Sequence, residues 1–133
     1  MKKLLIPTII AMLACVAFSA FAASKGKAKI RFEESSYNFG TIKEAAGPVT
    51  HTFTFTNTGD ANLTIIDATA QCGCTRPVYS TAPVAPGKKG KVKVTFNPAG
   101  RAGSFEKVVT VRTNGSPSKA RVKIKGTIIP KNK

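Results

Sequence analysis

Val49, His51, Phe53 and Phe55 alternate with Thr50, Thr52, Thr54 and Thr56, and a stretch of that period buries one face only as a β-strand. Threonines and aromatics suit such a pleated, half-buried surface. Between Ile30 and Ile129 the apolar residues show no helical period longer than a turn, and turn residues break the alternation at short intervals. The fold is therefore read as all-β.

The strands read in order as Ile30 to Glu33, then Tyr37 to Ile42 with a bend at Gly40, Val49 to Thr56, Leu63 to Ala70, Lys91 to Phe96, Phe105 to Thr113 and Arg121 to Ile129. Asn57-Thr58-Gly59-Asp60, Asn97-Pro98 and Asn114-Gly115 supply turns. The proline-punctuated stretch Ala82 to Gly87 excludes a central strand. About seven short strands with no crossover helix imply a single immunoglobulin-like β-sandwich over residues 30–129, followed by a 130–133 tail. The likeness to antibody domains is one of architecture, since Trp is absent and Cys72 and Cys74 are one residue apart.

Lys2 and Lys3 precede an apolar run from Leu4 to Phe18, and Ala20-Phe21-Ala22 offers the small-x-small pattern of a signal-peptidase site. Residues 1–22 are thus expected to be a cleaved signal, with export to the periplasm or medium and no transmembrane anchor in the mature chain. Lipidation at Cys15 is disfavoured, because the apolar run continues through Val16, Ala17 and Phe18. Residues 23–29 read as a basic, flexible leader.

The chain has 21 Lys and Arg against 6 Asp and Glu, a net charge of +15 of which the signal removes two. Nucleic acid is a poor partner for an exported protein, so an anionic envelope polymer or an envelope protein is the expected counterpart. Lys91, Lys93, Arg121, Lys123 and Lys125 form the expected basic surface. A competing reading gives these lysines the duty of keeping sheet edges from pairing with other chains.

The run His51 to Gly59, then Cys72-Gly73-Cys74-Thr75, Pro83, Pro86-Gly87, Gly90, Phe96-Asn97, Gly103 to Phe105 and Thr113-Asn114 resembles the exported bacterial family called domain of unknown function 1573. The resemblance covers about residues 32 to 129. It implies an immunoglobulin-like sandwich of the PapD and major-sperm-protein type, and it brings no enzymatic activity with it.

Chemistry, if any, centres on Cys72 and Cys74. Both methionines, Met1 and Met12, leave with the signal, so Cys72, Cys74 and His51 are the complete set of thiolate and imidazole ligands in the mature chain. That set is too small for a four-ligand structural zinc site. Two thiolates can hold Cu(I), with His51 as a third ligand if the fold brings it there. In an oxidising compartment the two cysteines can instead form a disulfide. Closure across one residue needs a bend, which Gly73 permits, and so small a loop makes a weak, reducible staple of about 1.5 kcal/mol before strain. Arg76 is placed to favour a thiolate, so a thiol-redox role is the alternative to a purely structural one.

His51 shares a face with Phe53 and Phe55 and reads as a partly buried core-edge residue with a backbone partner. Glu33 and Glu34 are adjacent and point to opposite faces, a poor acid–base pair. No nucleophile–base motif can be assembled, so no catalytic residue is assigned. The reading is of a non-enzymatic exported binding or structural module, the alternative being a thiol-redox or Cu(I)-handling protein.

Overall fold

A computed structural model describes residues 26–132. The expected signal over 1–22, Cys15 and the first part of the leader lie outside the described residues. Eight strands are present among them: β1 (Ile30–Phe32), β2 (Ser36–Lys43), β3 (Val49–Asn57), β4 (Ile65–Ala70), β5 (Thr75–Tyr79), β6 (Lys89–Phe96), β7 (Gly103–Thr113) and β8 (Lys119–Ile129). They form two four-stranded sheets, in the orders β1-β3-β6-β5 and β2-β8-β7-β4.

The alternating threonine and aromatic stretch is β3. It pairs with β6 so that Phe53 faces Val92 and Phe55 faces Gly90 across the ladder. Phe53, Phe55 and Phe96 are fully buried together with Leu63, Val92, Val94, Val109, Val111, Val122 and Ile124 from both sheets, each large side chain worth about 1.5–3 kcal/mol of burial. Phe96 stacks on Phe105 at 4.1 Å between centroids, joining the two layers. The close approach of Phe55 explains Gly90: a Cβ there would stand 2.4 Å from the Phe55 ring.

The first two strands lie in different sheets. β1 runs antiparallel to β3, whereas β2 runs parallel to β8 with an irregularity between Asn38 and Thr41. Gly40, at φ 74°, supplies the positive dihedral at that bend, where the sequence placed it.

Two expectations need correction. The strand order read from alternation omits β5, which carries Pro77. In the structure β5 is an edge strand of its sheet, where a missing N–H is tolerated. The described part of the expected flexible leader, residues 26–29, is tied down. Ala28 is 2 % exposed and belongs to the core. The carbonyls of Lys27, Lys29 and Ala28 accept hydrogen bonds from the backbone N–H groups of Asp60, Thr58 and Ser116 respectively. These bonds to distant turns leave no signature in local periodicity.

Among the described residues, no helix is long and apolar enough to cross a membrane.

Candidate functional site

Two features could carry function: the cysteine loop at one end of the sandwich and the basic outer faces of the two sheets.

The loop carrying Cys72-Gly73-Cys74 crosses from β4 in one sheet to β5 in the other. The two cysteines are joined as a disulfide with Cα atoms 5.2 Å apart, so the bend that closure requires is present. Beside it runs the β6–β7 loop, held to it by the Asn97 N–H donating to the Cys74 carbonyl at 2.8 Å. That loop also delivers Arg101, whose Nη2 donates to Cys72 Sγ at 3.1 Å. A second donor, the backbone N–H of Cys74, reaches the same sulfur at 3.1 Å. Apart from the disulfide bond, Cys74 Sγ has the Thr75 hydroxyl, at 3.5 Å, as its one hydrogen-bond partner among the described residues. An open cavity of about 230 Å³ lies alongside, lined by Pro48, Gly73, Cys74, Arg76, Thr95 and Asn97.

The guanidinium in contact with sulfur is therefore Arg101, which sequence reasoning did not single out. It stands 29 residues from Cys72, and only the topology brings it there. Arg76, singled out because it is two residues from Cys74, lines the cavity instead.

The structure does not bring His51 to the cysteines. Its ring stacks on Tyr37 at 3.6 Å, meets Phe53 edge-on, and its Nε2 lies 2.6 Å from Glu34 Oε2. Among the described residues no group of three or more His, Cys, Asp or Glu is arranged to hold a metal. Glu33, the other acid of the adjacent pair, goes to Lys89 at 2.7 Å. The two carboxylates thus serve separate partners on opposite faces.

The basic residues form two rows. On β6, Lys89, Lys91 and Lys93 point outward, standing opposite Thr56, Thr54 and Thr52 of β3. Arg31 lines up with Thr56, Arg76 with Thr95, and Val78 with Lys93. Only Lys89 in this group makes an ion pair, with Glu33; Lys91 and Lys93 form no ion pair among the described residues.

On β8, Lys119, Arg121, Lys123 and Lys125 make the second row. Here acids intervene. Lys123 pairs with Glu106 at 2.6 Å, and a hydrogen bond from Lys123 holds the Glu106 carboxyl below the usual carboxylate range. On the same sheet Arg112 pairs with Asp67, a hydrogen bond that raises the Arg112 pKa. Both rows occupy interior strands, since β6 lies between β3 and β5, and β8 between β2 and β7.

Two sheets of four strands with the first two strands divided between them define a PapD-like immunoglobulin-type sandwich. Solved structures of that shape resemble it at low identity. A protein of unknown function from Porphyromonas gingivalis W83 superposes with a TM-score of 0.65 at 15% identity, over 95% of this chain and 53% of that one. The chain thus spans about half the length of that protein. The PapD-like domain 7 of human CEP192 gives 0.64 at 12% identity, over 91% and 99% of the two chains. The YadV chaperone gives 0.54 at 10% identity, over 74% and 51%. At these identities the likeness is one of fold. The chain belongs to the DUF1573 family of proteins of unknown function, whose model matches residues 30–128. No curated protein matches it.

Proposed function

We propose that this chain is an exported, non-enzymatic binding module of the cell envelope that holds an anionic polymer along the outer face of the β1-β3-β6-β5 sheet. The supporting observation is the position of the lysine row. Lysines that guard a sheet against unwanted pairing belong on its edge strands, but Lys91 and Lys93 stand on an interior strand. Residues two apart on a strand repeat at about 6.6 Å, so the row presents positive charge at regular spacing. The threonine row of β3 beside it adds hydroxyl donors, and Arg31 and Arg76 extend the positive field to either side.

The regular charge along the centre of this face suits a repeating polyanion, and the open cavities near its margins, beside Arg31 and Thr56 and beside Arg76 and Thr95, are lined by the same basic and hydroxyl side chains. The test is retention of the mature protein on anionic envelope material across a salt series. Elution by moderate salt, and at clearly lower salt for the Lys91→Glu/Lys93→Glu double variant, is the expected result. Retention that is indifferent to salt and to this variant would contradict the proposal and favour an envelope protein pairing with a sheet edge.

A further inference from the structure

The disulfide is chemically lopsided, and the binding reading makes no use of this. Cys72 Sγ receives two hydrogen bonds, from Arg101 Nη2 and from the Cys74 N–H, each at 3.1 Å. Among the described residues Cys74 Sγ has just the Thr75 hydroxyl, at 3.5 Å, as a hydrogen-bond partner, and Cys74, not Cys72, lines the open cavity with Arg76. Donors aimed at a sulfur, above all a guanidinium, stabilise it as a thiolate. The better leaving group in thiol–disulfide exchange is the sulfur whose thiolate is the more stable.

We propose that Cys72–Cys74 is a directional exchange site, opened in the folded protein by a small anionic thiol that enters the cavity and attacks Cys74. The thiolate of the incoming molecule forms a bond to Cys74 Sγ, and the Cys72–Cys74 bond breaks. Its electron pair leaves on Cys72 Sγ, which Arg101 and the Cys74 N–H hold as thiolate. If the reductant is a dithiol, its second thiolate then attacks its own sulfur in the mixed disulfide and releases Cys74. The net result is a two-electron reduction of the protein disulfide and oxidation of the dithiol. Two arginines frame this path in different places. Arg101 serves the leaving sulfur, and Arg76, on the cavity wall, attracts a negatively charged attacker.

The geometry of the loop suits such a role better than that of a staple. A bridge across one residue constrains the unfolded chain little, and the loop is held in place independently of the bridge by the Asn97 to Cys74 and Thr75 to Cys72 backbone hydrogen bonds. Opening the bridge therefore leaves the crossing loop anchored.

The experiment uses the mature protein, with the oxidised Cys-Gly-Cys peptide as an unstructured reference. Opening rates are measured with 2-mercaptoethanesulfonate, which is anionic, and with cysteamine, which is cationic. The mixed disulfide is trapped by alkylation and located by mass spectrometry. Adducts on Cys74 are expected. The ratio of anionic to cationic rates should exceed that of the peptide by about three- to tenfold, as for one nearby guanidinium in a partly solvated site. Arg76→Gln should abolish that excess. Arg101→Gln should slow both thiols by about threefold or more, and Arg101→Lys should restore part of the loss. Both arginines are exposed, and an unchanged circular dichroism spectrum and melting temperature verify that the variants fold. Adducts on Cys72, rates untouched by Arg101→Gln, or opening seen only under unfolding conditions would overturn the proposal.

Discussion

At the scale of single residues, the clearest structural dependence is on Asn57. Its side chain is fully buried and completely satisfied. Nδ2 donates to the carbonyls of Ala61 at 2.7 Å and Val84 at 2.9 Å. Oδ1 accepts from the N–H groups of Gly59 at 2.9 Å and Lys29 at 3.3 Å. One amide therefore ties the end of β3 to its own turn, to the proline-rich connection and to the N-terminal segment. Replacing Asn57 by Ala leaves these buried groups without partners and is expected to cost about 2–4 kcal/mol in urea unfolding.

Gly90 is the second such position. Gly90→Ala forces a Cβ to within 2.4 Å of the Phe55 ring and should destabilise by about 1–3 kcal/mol. A double-mutant cycle with Phe55→Leu checks the cause. The smaller partner should absorb much of the alanine's cost, so the two changes should be less than additive.

At this scale the sequence was only half legible. The turn character of Asn57-Thr58-Gly59 follows from residue type, and so does the inward face of His51, Phe53 and Phe55. The four partners of Asn57, the Tyr37 stack beneath His51 and the Arg101 contact to Cys72 depend on how the chain is folded back on itself. Most of them join distant stretches, and such contacts leave no mark in local composition.

Elements were more legible, because strand periodicity is a local property that burial enforces along its whole length. Seven of the eight strands follow from alternation. The eighth, β5, shows no such alternation, since its Val78 faces outward and Pro77 stands between Arg76 and Val78; it lies at a sheet edge, where a residue without an N–H can be accommodated.

One prediction belongs to the junction between elements. The Glu44 carboxylate, in the turn after β2, accepts from the N–H groups of Lys131 at 3.0 Å and Gly100 at 2.7 Å, and these bonds, Lys131 first, hold its pKa below the usual carboxylate value. A carboxyl depressed in the folded state contributes its full stability above the unfolded-state pKa and loses it as pH falls through the folded-state value. Glu44→Gln should therefore lower the urea midpoint at neutral pH. The difference from the parent should shrink towards zero in acid. A difference that is constant with pH would show that the carboxylate charge is not the cause.

At the scale of the whole molecule, the fold presents two distinct kinds of surface. The end of the sandwich carries a disulfide whose two sulfurs have unequal surroundings. The broad face of the β1-β3-β6-β5 sheet carries a lysine row on an interior strand, flanked by threonines. A sequence shows that such residues alternate along a strand, but not whether that strand lies at the edge or the middle of a sheet. That distinction separates a protective role for the lysines from a binding one.

The most direct measurement is the affinity of the mature protein for poly(glycerol phosphate) as a function of salt concentration. Binding should weaken linearly on logarithmic axes, and Lys91→Gln/Lys93→Gln should reduce the slope by about 1–2 units, because two phosphates are no longer neutralised. The corresponding Arg121→Gln/Lys125→Gln pair on the opposite sheet should change it much less. A slope unaltered by the β6 substitutions, or lowered equally by those on β8, would contradict the assignment of the binding face.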